Sequence, residues 1–305
     1  MATTAPVPSS GTPPKSLGDR IKHGAVKLIE PLVLLAPPGV WLLLLLVVPT
    51  FMILELSFLP GFRPGTLPAG YGLGNYLNIG QALYLRVIFR SVFFAIICTL
   101  MCLMLGFPVA YWIAVLSPKR WRNLLLVGFV LPLWTSSLLR SYAWITILRP
   151  SGVLNSTLSL LGLPTVDILN TQLAVMIGLT YNFLPYMVLI LYASLEKLDK
   201  RLLEAASDLG ATPREGFMKI TVPQSLPGIA AGCLLVFITS LGDFVVPELL
   251  GGASSMTMAR LIYNQFLGAT RNWGFGSALS MILILAVSIS IALLLKYGDR
   301  NAETV

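Results

Sequence analysis

Ionisable side chains inside long apolar stretches are costly in a membrane, and they persist there when they are paired, face water or serve a function. This chain places Asp243 and Glu248 in the segment SLGDFVVPELL, Arg140 in LLRSYAW, and Glu55 near the end of its first apolar run. A carboxylate so placed can hold a passing cation or form a fixed bridge to an internal arginine, and Arg140 is the candidate partner for Asp243. Trp134, Tyr142, Trp144, Tyr181 and Tyr186 lie in neighbouring apolar segments. Aromatic faces beside a carboxylate suit an alkylammonium ion, although the same residues also serve as interface anchors or packing. For Glu55 and Glu248, simple placement near the membrane surface is the competing reading.

Other chemistries find little support. The chain has one histidine, His23, so a histidine-based triad or a multi-histidine metal site is not expected. Cys98, Cys102 and Cys233 lie in apolar runs without zinc-ligand spacing, and read as small packing residues. The sequence contains no GxxxxGK[ST] phosphate loop, so it cannot bind ATP in the usual way. No metal and no cofactor are expected in this chain. An intramembrane enzyme is therefore disfavoured.

The elements that position these residues follow from composition. Of 305 residues, 56% are hydrophobic and only 11% charged, with a mean hydropathy of +0.81, whereas a soluble domain carries roughly 25% charged residues. The net charge of +8 sits in short clusters between apolar runs, a pattern that reports membrane orientation rather than nucleic-acid binding. A spanning helix needs about 20 apolar residues. Six segments qualify, at 32–57, 88–116, 122–148, 171–195, 225–250 and 276–296. Their long uncharged runs argue against a β-barrel, and prolines such as Pro108, Pro132, Pro185, Pro227 and Pro247 predict kinked helices. Before them, residues 1–16 read as a disordered tail and 17–31 as an interfacial helix. The first apolar run lacks a clear cleavage site and is expected to remain as an anchor. With the N-terminus inside, 14 of the 21 basic residues, including every lysine, fall on the inner side. Both termini are then cytoplasmic.

Between the fourth and fifth spans lies the most charged stretch, EKLDKRLLEAASDLGATPREGFMKITVP, residues 196–223. Asp199 opens a helix with Leu198, Leu202, Ala205 and Leu209 on one face. Gly210 ends it where the chain must turn with positive φ. A second helix starts at once, with Thr212 as N-cap, Pro213 at the first helical position and Glu215 completing a capping box. The result is a rigid cytoplasmic knob, suited to a partner's groove and able to push on the spans at either end.

Glu204-Ala205-Ala206, then Gly210, nine intervening residues, Ile220 and Pro223 resemble the EAA loop of bacterial ABC-importer permeases. Val222 departs from the leucine usual before that proline. The stretches 131–156 (LPLWTSSLLRSYAWITILRPSGVLNS), 242–252 (GDFVVPELLGG) and 272–280 (NWGFGSALS) are similar to permeases of spermidine/putrescine importers. The resemblance covers nearly the whole membrane part. It implies an all-α type I importer permease with six transmembrane helices in the bacterial inner membrane, moving a small solute, a polyamine by analogy. It implies a coupling helix built on Glu204, Ala205, Ala206, Asp208, Leu209, Gly210, Ile220 and Pro223, whereas Asp243, Glu248, Trp134, Tyr142 and Tyr181 are solute-path candidates by residue type within the apolar segments alone. The implied partners are a second permease subunit, two copies of a cytoplasmic ATPase that bind the ATP and magnesium, and a soluble solute-binding protein. A stand-alone channel, an ion-driven carrier, or an importer of another solute are the alternatives.

Overall fold

A computed structural model describes residues 17–67, 70–252 and 255–302. The expected tail, 1–16, lies outside them, as do the side chains of 17–34 on which the interfacial reading rests. Every regular element among the described residues is helical. Among the described residues, five helices are long and apolar enough to cross a membrane, and a bent pair makes a sixth candidate.

The first helix, α1 (Leu17–Ser57), is continuous from the expected interfacial piece into the first span. Trp41, Leu44 and Leu46 are exposed along it, an arrangement that lipid stabilises and water does not. The described residues up to Ile53 and those from Leu54 onward form separate compact units.

The second unit is built on three long helices: α3 (Ala82–Tyr111), α7 (Gln172–Leu195) and α10 (Val222–Gly242). They bury a common core that includes Phe94, Cys98, Cys102, Met187, Leu191 and Val236. The cysteines are thus packing residues; Cys102 Sγ donates to the Thr180 carbonyl at 3.6 Å. A satellite cluster joins α2 (Gly74–Ile79), α12 (Met258–Leu267) and α13 (Trp273–Ala302) around Phe275, Ala278 and Leu279.

Two spans are interrupted outright, where their prolines predicted kinked helices. The third is broken. It comprises α4 (Lys119–Val130), a 3₁₀ turn at Leu131–Trp134, and α5 (Ser137–Leu148), followed by α6 (Val153–Leu160), with a bend of 93° between the halves. Pro132 cannot donate to the preceding turn, and Thr135 and Ser136 are extended. The Thr135 hydroxyl donates to the Pro132 carbonyl at 2.7 Å, so a freed backbone acceptor is satisfied locally. The fifth span likewise stops at Gly242, passes through Asp243 and Phe244, and resumes as α11 (Val245–Leu250). Asp243, expected inside a helix, instead ends one. Its Oδ1 accepts from the Val245 and Val246 amides at 2.7 and 3.3 Å, capping donors that open the next helix. A side chain at Gly178 would meet Leu250 and Val246 at 2.4 and 2.8 Å, so this glycine lets α11 lie against α7.

Candidate functional site

The two breaks meet at one place. Ser137 and Arg140 from α5, Asn182 and Tyr186 from α7, Thr239 from α10, and Asp243 in the second break line a cavity of about 280 Å³, with Phe183 and Phe244 as further aromatic walls. Two helix ends, rather than one helix face, present the charged groups. Arg140 and Asp243 share this cavity without forming an ion pair: the described ion pairs are Arg122–Glu196, Lys219–Glu215 and Arg260–Glu248. Arg140 Nη1 makes one long bond, 3.5 Å, to the Asn182 carbonyl, and its buried Nε has no acceptor. Asn182 Nδ2 donates to Ser137 Oγ at 3.3 Å, and its Oδ1 is buried without a donor. Asp243 Oδ1 is engaged in capping, and among the described residues none hydrogen-bonds to Oδ2. The wall therefore combines one anion, one loosely held cation, an amide and aromatic rings, and can accept hydrogen bonds from a small cationic group.

The other expected path residues lie elsewhere. Glu248 is ion-paired with Arg260, whose Nη1 also donates to the carbonyls of Pro247, Gly251 and Gly252 at 3.2, 3.0 and 3.2 Å. This pair fastens α11 to α12. Tyr181 packs edge-on against Trp144 at 5.4 Å. Trp134 and Tyr142 are exposed, and neither lines the cavity. Glu55 accepts from the Tyr71 hydroxyl at 3.0 Å, and this carboxylate raises the Tyr71 phenol above its ordinary pKa. Sequence reasoning passed over Asn182, Ser137 and Phe244. Asn182 was detectable by the rule that found Asp243, since a polar amide in an apolar span also needs partners.

The loop between the fourth and fifth spans has the local structure its residues call for. In α8 (Lys200–Asp208), Asp199 accepts from the Arg201 amide at 3.0 Å. Gly210 has φ +85° and carries the turn. In α9 (Pro213–Gly216), Thr212 and Glu215 exchange capping bonds of 2.9 and 3.3 Å. The Thr212 amide and hydroxyl, then Lys219 at 3.3 Å, hold Glu215 below its ordinary pKa. Leu202 and Leu209 of the expected apolar face are exposed, Leu209 at 89%. Ala205 is also exposed, whereas Leu203 and Ala206 turn partly inward. Glu204 and Asp208 are exposed, Ile220 is half-buried and Pro223 exposed.

The second loop helix does not stop before the fifth span. A π-helical turn at Phe217–Thr221 joins α9 directly to α10. Such a turn widens the helix and relieves the crowding that Pro223 would otherwise cause. Phe217 packs edge-on against Phe107 and Tyr111 of α3 at 5.8 and 5.2 Å. At the other arm, Arg122 contacts Glu196 at 3.5 Å and donates to the Ala114 carbonyl at 2.7 Å, while Tyr192 donates to Glu196 at 2.7 Å. Both arms of the loop are therefore tied to the membrane helices.

Comparison with known proteins adds a family and a fold. Residues 103–301 match the family described as "Binding-protein-dependent transport system inner membrane component". The chain is 41% identical over 253 residues to the spermidine/putrescine transport system permease protein PotB of Haemophilus influenzae, covering 82% of this chain and 88% of that one. The PotB protein of Escherichia coli is 42% identical over 253 residues, at 82% and 91% coverage. An E. coli inner membrane ABC transporter permease, YdcU, is 30% identical over 266 residues, at 83% and 82%. Among solved structures, a chain of a bacterial alginate ABC transporter in complex with an alginate pentasaccharide-bound periplasmic protein superposes with a TM-score of 0.77. It is 19% identical and covers 93% of this chain and 97% of that one, a likeness of fold alone.

Proposed function

We propose a working arrangement from one premise: this chain belongs to the family of binding-protein-dependent transport system inner membrane components. It is a multi-pass permease subunit of an ABC importer in the inner membrane, and ATP is bound by a separate ATPase subunit. In the arrangement we propose, the chain forms half of a translocation path beside a second, paralogous permease subunit. Two copies of a cytoplasmic ATPase dock from below, and a soluble binding protein delivers solute from outside. Both termini and residues 196–223 face the cytoplasm, a reading supported by the lysine distribution.

Residues 196–223 act as the coupling element. The observation that carries this is a rigid, doubly capped turn whose outer face, with Leu202 and Leu209, is exposed. Exposed apolar side chains rimmed by Glu204 and Asp208 suit a protein groove. The arms tied through Phe217 and Glu196 provide a route for its displacement to reach α3 and α4. The solute is a polyamine, putrescine or spermidine. The named relatives support this, as does a cavity wall that pairs Asp243 with Phe183, Tyr186 and Phe244.

The test is to purify the importer carrying Gly210→Pro or Glu204→Lys. The first substitution conflicts with φ +85°, and the second reverses charge on the docking face. ATPase co-purification and putrescine uptake should both fall by about tenfold, equivalent to about 1.4 kcal/mol of docking energy, with the chain still inserted. Wild-type behaviour in both variants removes the coupling assignment. In intact cells, a cysteine at exposed Ser207 should resist an impermeant thiol reagent while one at exposed Ser159 reacts.

A further inference from the structure

Arg140 is a permanent cation on the wall of a cavity assigned above to a cationic solute, and this calls for an explanation. Electrostatics alone would favour a neutral residue there. A structural arginine, in turn, should be well bonded, as Arg260 is, with a carboxylate and three carbonyl acceptors. Arg140 has one 3.5 Å bond to the Asn182 carbonyl and a buried Nε without an acceptor. Such a buried donor is a standing cost. Across the same cavity, Asp243 keeps Oδ1 for the α11 amides and leaves Oδ2 without a partner among the described residues. The cation is thus loosely tethered beside an anion that is half occupied.

We propose that Arg140 is a resident competitor for Asp243: its guanidinium and the solute's ammonium take turns at the free carboxylate oxygen, so that the solute is held briefly and then displaced inward. This rests on the solute-path reading of Asp243 given above. A path must bind strongly enough to admit a solute and weakly enough to release it. A lone carboxylate in a low-dielectric wall would bind an ammonium too well, because little water competes. A tethered guanidinium supplies that competition without leaving the protein. The bend between α4 and α5 places Arg140 on the first turn after the break, where a change in that bend would alter its reach. Asn182, whose Oδ1 lacks a donor, offers a second acceptor to whichever cation occupies the site.

The experiment separates holding from moving. Equilibrium binding of putrescine is measured on the purified permease–ATPase complex without its binding protein, and saturating uptake is measured on the complete importer in proteoliposomes. Arg140→Gln should tighten putrescine binding by about tenfold and slow saturating uptake by about tenfold. Arg140→Lys keeps a tethered cation and should leave both within about threefold of wild type. A merely structural arginine would lower binding and uptake together on truncation, so that outcome overturns the proposal. So do two unchanged values, or wild-type complex that shows no saturable binding up to about 10 mM putrescine. If Arg140→Gln impairs assembly, the Lys variant decides: an assembled Lys complex that does not transport overturns the proposal. Asp243→Asn separates this inference from its premise. Unchanged binding and uptake in that variant remove the solute-path reading itself, whereas lost binding there with a neutral Arg140→Gln removes only the competitor role.

Discussion

The capped loop at 196–223 and the cavity at Asp243 are assembled in opposite ways. In the loop, the side-chain bonds that cap and brace its helices join residues within four positions of one another: Asp199 with Arg201, Thr212 with Glu215, and Glu215 with Lys219; only its arms, at Glu196 and Phe217, reach other helices. In the cavity, the groups come from α5, α7, α10 and the break before α11. Asn182 and Ser137 touch across 45 positions, and Arg140 and the Asn182 carbonyl across 42. The capped turn is set by neighbours along the chain and should keep its form if the membrane helices tilt, whereas the cavity is set by distant helix ends and should change with them. The coupling and solute-path roles proposed above call for that difference: a stiff part to receive a push, and a deformable part to convert it into altered access.

This contrast can be broken most sharply at Asp243. Asp243→Asn preserves shape and removes the charge. We expect putrescine uptake to fall by about 10- to 100-fold, the range for losing a hydrogen bond to a charged group. ATPase association and basal hydrolysis should persist, because the loop does not depend on this carboxylate. If the complex falls apart instead, and Arg140→Gln does the same, the two regions are not separable and a structural role for the pair is the better account.

A smaller effect tests whether the cavity depends on packing remote from it. A β-carbon at Gly178 would lie 2.4 Å from a Leu250 methyl and 2.8 Å from a Val246 methyl. Gly178→Ala should destabilise the helical bundle by about 1–3 kcal/mol through overpacking and lower putrescine binding. The loop should retain its local hydrogen bonds. Thermal unfolding in detergent and amide exchange across 199–216 are the measurements. Loss of exchange protection in the loop would contradict its independence.

The smallest effect belongs to the cap. Thr212→Ala should cost about 1 kcal/mol of local helix stability, seen as faster amide exchange at 214–216 with unchanged solute binding. The cap also has a pH signature. The folded-state pKa of Glu215 is depressed by the Thr212 bonds and then by Lys219. Its contribution is therefore fully present above the unfolded value, about 4.5, and is lost as pH falls through the lower folded value. The protection factor of the Thr212 amide, its exchange relative to the unstructured rate at the same pH, should drop only as pH falls through that lower folded value. A drop in protection near neutral pH would mean that another group holds the turn.

The sequence by itself determined the lipid environment, the approximate positions of the spans, and nearly the whole of the loop. Apolar run length, capping residues at offsets of two and three, and a glycine at φ +85° are consequences of neighbours along the chain. It also singled out Asp243 and Arg140, because any charge in an apolar run stands out. Only the tertiary structure decided that the third and fifth spans are broken, that Glu248 is tied to Arg260, that Asp243 and Arg140 share a cavity without bridging, and that Asn182 joins them. The physical reason lies in where hydrogen bonds are satisfied. A proline or aspartate in an apolar helix is compatible with continuing, kinking or stopping. Which occurs depends on whether packing from distant helices, such as the close fit at Gly178, offers the freed backbone groups a better arrangement than one more helical turn.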